Sequence, residues 1–144
     1  MTAELERIAY TAEATATGGR SGHARSSDGH IDLDLRPPKE MGGPGGATNP
    51  EQLFAAGYAA CFQGALGVAG RRNGVDTSGS VVTCKVSIGP VGQAFGLAVV
   101  LDVEIPDVDD ATCQKLADEA HQVCPYSNAT RGNIDVQVRA RPAR

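Results

Sequence analysis

Polarity alternates along residues 6–17, where Ile8, Tyr10, Ala12, Ala14 and Ala16 fall on every second position. That is the period of a half-buried strand, and it predicts one over 6–17. Gly18-Gly19 marks a turn, with Arg20 just beyond it, and residues 22–26 fit a second strand. Ser26-Ser27-Asp28-Gly29 is a further turn signal. After it, Ile31, Leu33 and Leu35 alternate with Asp32 and Asp34 on a third strand. Three short strands joined by tight turns predict an antiparallel meander.

Residues 36–48 hold three prolines and four glycines, which predicts a long loop, a length often reserved for function. Asn49-Pro50-Glu51-Gln52 then reads as a helix start: asparagine as N-cap, proline at the first position and an acid in the first turn. The helix is predicted to run to Arg72 and stop at Asn73-Gly74. Its many alanines and glycines predict a buried central helix. Residues 81–88 and 94–105 are rich in β-branched side chains and predict a second hairpin, turning at Gly89-Pro90. Asp109 or Asp110 caps a helix through Val123, with Leu116, Ala117, Ala120 and Val123 on one face. Cys124-Pro125 ends it, because proline lacks the amide proton and disfavours helical geometry in the residue before it. Ile134, Val136 and Val138 alternate as a last strand. The order βββ-α-ββ-α-β implies an α+β fold, one domain over 1–144, with no parallel βαβ repeat.

Composition narrows the function classes. A net charge of −4 and the lack of a basic cluster or helix-turn-helix signature argue against nucleic acid or an anionic membrane as partner. No run reaches the ~18 consecutive apolar residues of a membrane span. The charged start, Met1-Thr2-Ala3-Glu4-Leu5-Glu6-Arg7, does not predict a signal peptide, so the cytoplasm is the expected location.

Four cysteines, 61, 84, 113 and 124, remain to be explained. Without a secretion signal a stapling framework is not expected. The closest pair, Cys113 and Cys124, stands eleven positions apart, too far for the usual zinc spacing, so no metal is expected. Cys61 lies in an apolar helical run and Cys124 directly before a helix-breaking proline. Each is open to two readings, a small packing residue or a redox thiol. Reaction requires a thiolate, and a free thiol is only a few per cent ionised at neutral pH, so a cation must lower its pKa. Arg20 is a candidate for that cation, and Glu51 a candidate to hold it by a bidentate pair. Glu51 and Cys61 are ten residues apart, ~15 Å along an unbroken helix. One small site therefore needs a helix that starts later, an arginine that bridges the two, or a partner chain that supplies one of them, which points to a dimer. Cys84 and Cys113 are expected to be bystanders. His23, His30 and His121 form no catalytic spacing and are expected in surface or hydrogen-bonded roles.

Four stretches carry a family resemblance: Thr15-Ala16-Thr17-Gly18-Gly19-Arg20, Ser26-Ser27-Asp28-Gly29, residues 49–62 around Cys61, and Cys124-Pro125-Tyr126-Ser127-Asn128-Ala129-Thr130-Arg131-Gly132-Asn133. In colinear order over nearly the whole chain they resemble the organic hydroperoxide resistance (Ohr) branch of the Ohr/OsmC superfamily. The Cys-Pro-Tyr-Ser motif favours Ohr over the OsmC branch. The resemblance implies that Cys61 is the peroxidatic cysteine and Cys124 the resolving one, with Arg20 and Glu51 activating the thiolate. It implies an intertwined α+β homodimer that reduces organic hydroperoxides, those of fatty acids included, without a cofactor. The expected reductant is a dihydrolipoamide-type dithiol. Leu53, Phe54 and Met41 are the expected apolar contacts of the substrate. The rival from another class is a binding module or a redox sensor that uses the same thiols once.

Overall fold

The structure is a computed structural model that describes residues 2–143, and the chain divides into two compact units at Pro50/Glu51. In the first, β1 (Ala14–Thr17), β2 (His23–Ser26) and β3 (Asp32–Asp34) form the expected antiparallel meander. A 3-10 turn, Gly19–Ser21, joins β1 to β2 and contains Arg20. Only the end of the predicted first strand is a strand. The partner β2 is four residues long, and among the described residues nothing pairs with 6–12, so Ile8 and Tyr10 stay exposed. The loop over 36–48 contains one 3-10 turn, Lys39–Met41, and is closed at its base by a bridge between Leu35 and Thr48.

The second unit holds α1 (Pro50–Asn73), β4 (Val81–Val91), β5 (Ala94–Ile105), α2 (Asp110–Val123), α3 (Pro125–Thr130) and β6 (Val136–Pro142). Its sheet has the order β4-β5-β6. β4 and β5 are antiparallel, whereas β6 pairs with β5 in parallel, Val99 opposite Val136 and Leu101 opposite Val138. The expectation of a fold without a parallel unit is therefore corrected: β5, the helices α2 and α3, and β6 make one βαβ crossover, which returns the chain to the same end of the sheet. The hairpin turn is also displaced from Gly89-Pro90. β4 continues to Val91 and turns at Gly92-Gln93, with Gly92 at φ 59°, the first position of a II′-type turn. Pro90 is tolerated inside β4 because that strand is an edge of the sheet.

Helix α1 ends as predicted, in a Schellman motif: Val75 N–H bonds the Gly70 carbonyl at 2.8 Å and Gly74 N–H the Arg71 carbonyl at 3.4 Å. It is long and apolar enough to cross a bilayer. Its stripe of Tyr58, Phe62, Ala65, Leu66 and Ala69, however, forms the core with Val99, Leu101, Val103 and Ile105 of β5. The opposite face leaves Ala56, Ala60 and Gly64 exposed, so α1 is buried along one stripe and not on all sides. α2 starts at Asp109, whose carboxylate accepts from Thr112 N–H at 2.8 Å. It buries Cys113, Leu116, Ala117 and Ala120. These are the i, i+3, i+4, i+7 positions of one helical face.

Candidate active site

Cys61 lies midway along α1, one helical turn after Tyr58. Cys124 forms the elbow between two helices. It is the C-cap of α2, where its N–H bonds the Ala120 carbonyl at 2.8 Å, and also the N-cap of α3, where its carbonyl accepts from Asn128 at 2.9 Å. Its own backbone is extended, φ −62° and ψ 122°, as the following proline requires. This elbow turns the Cys124 thiol onto α1, and its Sγ stands 3.6 Å from that of Cys61. No covalent bond joins them; Cys124 is buried and Cys61 is partly accessible. Residues 63 positions apart in sequence thus meet at a distance from which a disulfide forms by a closing movement of about 1.5 Å.

Burial holds the Cys61 thiol above the ordinary thiol range, and the neighbouring Cys124 adds to that. A hydrogen bond from the Tyr126 backbone opposes both, since a donor favours the thiolate. Cys84, on the core-facing side of β4, is pushed up to about 11 by burial. Cys113 is fully buried and directs its thiol to the Ile105 carbonyl at 3.9 Å. Burial raises its pKa first, with Asp110 and Asp109 adding to it. In both, burial opposes the thiolate that reaction requires.

An apolar groove of about 740 Å³ starts at Pro125, the residue after Cys124, and is lined by Phe54, Phe95, Leu97, Tyr126 and Ile134 among others. Phe54, Tyr58 and Tyr126 pack mutually, with ring centroids 5.6 to 6.0 Å apart. Gly57 makes room for them. A Cβ there would stand 2.9 Å from the Tyr126 hydroxyl and 3.4 Å from its ring. Phe54 is where the sequence placed an apolar contact, but Leu53 is not part of the groove wall, and Met41 belongs to the first unit. Phe95, Leu97 and Ile134 escaped the reading because they come from the hairpin and the approach to β6, which only the sheet brings beside α3.

Arg20 lies on the 3-10 turn of the first unit, and Glu51 in the first turn of α1. α1 is continuous between Glu51 and Cys61, so the two are ~15 Å apart along its axis. Among the described residues no group of three or more histidines, cysteines or carboxylates is arranged to hold a metal ion. His121 is hydrogen-bonded to Ser127 at 2.8 Å, while His23 and His30 pair with aspartates on the surface.

The family profile described as OsmC-like protein matches residues 43–139. An organic hydroperoxide resistance protein of Xanthomonas axonopodis pv. citri is 54% identical over 138 residues, covering 94% of this chain and 97% of its own. The chain belongs to the Ohr/OsmC family. Solved structures of that family share the fold. An organic hydroperoxide resistance protein from Elizabethkingia anophelis matches with a TM-score of 0.90 at 46% identity, over 96% of this chain and 100% of its own. A Vibrio cholerae homologue, described with captopril bound in one of its active sites, matches with a TM-score of 0.89 at 50% identity, over 94% of each chain. The α+β architecture with a mixed sheet and a central helix is therefore the Ohr/OsmC fold.

Proposed function

We propose that this Ohr/OsmC member is a thiol-dependent peroxidase that reduces organic hydroperoxides, including those of fatty acids, and so protects the cytoplasm against oxidative stress. The observation that supports it best is the pair of sulfurs, 3.6 Å apart, with an apolar groove that starts at Pro125, the residue after Cys124. The names of the Xanthomonas and Elizabethkingia relatives agree with it. The Cys61 thiolate attacks the distal oxygen of ROOH. An S–O bond forms, the O–O bond breaks, and the alkoxide leaves as ROH after taking a proton. The Cys61 sulfenic acid then condenses with the Cys124 thiol, giving the disulfide and water. A dithiol of the dihydrolipoamide type restores both thiols by exchange.

Burial alone opposes the thiolate, so the mechanism needs a cation, and we assign that role to Arg20, held by Glu51. The exposed Ala56, Ala60 and Gly64 face of α1 supports a homodimer.

The test is a steady-state assay with a dithiol reductant on bulky organic hydroperoxides and hydrogen peroxide. Only the former bury apolar surface in the groove, at ~25 cal/mol per Å², so their kcat/KM should be much the higher. Equal efficiency overturns the substrate assignment, and a single turnover per chain favours a sensor. Cys61→Ser should be inactive. Cys124→Ser, after one equivalent of hydroperoxide, should gain one oxygen in intact mass where the parent loses two hydrogens.

A further inference from the structure

The buried polar side chains around the elbow converge on Ser127. Its hydroxyl meets the Tyr58 hydroxyl at 2.8 Å and His121 Nδ1 at 2.8 Å, and Tyr58 also reaches the Thr130 hydroxyl at 3.0 Å. Thr130 in turn donates to the Ser127 carbonyl at 3.3 Å. That contact gives the chain a direction. With its proton on the carbonyl, Thr130 accepts from Tyr58, Tyr58 accepts from Ser127, and Ser127 accepts from the Nδ1–H of His121. Each hydroxyl then donates once and accepts once. Tyr58 and Ser127 are fully buried, where a hydroxyl left without a partner is costly.

The position of this chain gives it a consequence. Tyr58 precedes Cys61 by three residues on α1, and Ser127 follows Cys124 by three on α3. Tyr58 and Cys61 are thus neighbours on the surface of α1, and Ser127 stands in the first turn of the helix that Cys124 caps. The Tyr58–Ser127 hydrogen bond and the Cys61–Cys124 contact are therefore adjacent rungs between the same two segments, and fixing the first sets the spacing of the second. His121, three residues before Cys124, ties the end of α2 to the same hydroxyl.

We infer that Tyr58, Ser127 and His121 form a positioning device for Cys124, holding its thiol against Cys61 so that disulfide formation outruns over-oxidation. This rests on the reading of Cys124 as the thiol that resolves a Cys61 sulfenic acid. Two reactions compete for that acid. Condensation with the Cys124 thiol gives the disulfide and water, whereas a second ROOH gives the sulfinic acid and ROH. Only the first depends on where Cys124 stands.

Rapid-mixing kinetics and intact-mass analysis of Ser127→Ala and Tyr58→Phe test the device. Sulfenic acid formation should stay within about twofold of the parent, while disulfide formation slows about three- to tenfold, the range of one neutral hydrogen bond. The sulfinic fraction per turnover should rise. His121→Asn keeps a donor at the same position and should behave as the parent, whereas His121→Leu should follow Ser127→Ala. Disulfide formation unchanged in both hydroxyl variants, or slowed no more than the peroxide step, overturns the proposal, as does a His121→Asn variant no better than His121→Leu. Tyr58→Phe keeps the ring packing on Phe54 and Tyr126, so it decides the matter if Ser127→Ala does not fold. A second arm needs no peroxide: equilibrating each reduced protein with a glutathione redox buffer should show the Cys61–Cys124 equilibrium constant lowered by the same factor. Equal constants overturn the device. A parent that forms this disulfide with glutathione yet ignores hydroperoxides overturns the peroxidase reading alone.

Discussion

Oxidation by one equivalent of organic hydroperoxide should stabilise the protein, by an amount the topology sets. A Cys61–Cys124 disulfide closes a loop of 63 residues. In the chain-entropy relation that removes about 14 cal/mol/K from the unfolded ensemble, or about 4 kcal/mol at 25 °C. The native state gives some of this back, because the sulfurs must approach by about 1.5 Å from 3.6 Å and the elbow at Cys124 must follow. A net gain of about 2–4 kcal/mol is expected. Equilibrium urea unfolding of reduced and oxidised protein measures it. Both samples need the same protein concentration, since association would shift the apparent stability. The slope must be fitted for each form, because a cross-linked unfolded chain exposes less surface and lowers m. Mass analysis, showing the loss of two hydrogens, certifies the oxidised sample. Two results refute the reasoning: an oxidised form no more stable than the reduced one, or a gain that persists in Cys124→Ser. The first would mean that the elbow is strained by closure, the second that Cys84 or Cys113 is the partner.

Arg20→Ala should raise the Cys61 pKa and slow the peroxide reaction at pH 7 by orders of magnitude while the fold persists in circular dichroism; a wild-type rate means another group activates the thiol. Gly57→Ala should displace Tyr126, raising KM for bulky hydroperoxides and costing about 1 kcal/mol by urea unfolding, at the low end for overpacking because Tyr126 is partly exposed; an unchanged KM separates Tyr126 from the substrate. His23 is raised above its ordinary value by hydrogen bonds to Asp34 and then Asp32. Its contribution to stability is therefore full below about pH 6.5 and lost as pH rises through the raised value. NMR titration of the His23 ring should show that elevation, and Asp34→Asn should diminish it.

Local order was legible wherever neighbouring residues decide it. The meander follows from period-two alternation and Gly turns, and the stop of α1 at Asn73-Gly74 follows from the need for a left-handed residue after the last turn. The break at Cys124 follows from the proline beside it. The same local logic failed at two places. Residues 6–12 alternate like a strand but pair with nothing among the described residues, and Gly89-Pro90 looks like a turn but lies inside an edge strand that can spare an amide.

For the candidate site the division is similar. The sequence by itself marked Cys61 and Cys124 through their motifs, because the proline after Cys124 and the small residues around Cys61 are properties of adjacent positions. Only the tertiary structure brought the two sulfurs to 3.6 Å, since that requires the α2–α3 elbow to fold back on α1 across 63 residues. The parallel docking of β6 was likewise decided there, because a crossover and a hairpin present the same alternation to a reader of one strand. So was the bond that joins Tyr58, Ser127 and His121. Each is an ordinary polar residue in its own segment, and the three become a unit only where burial removes water and leaves them one another as partners.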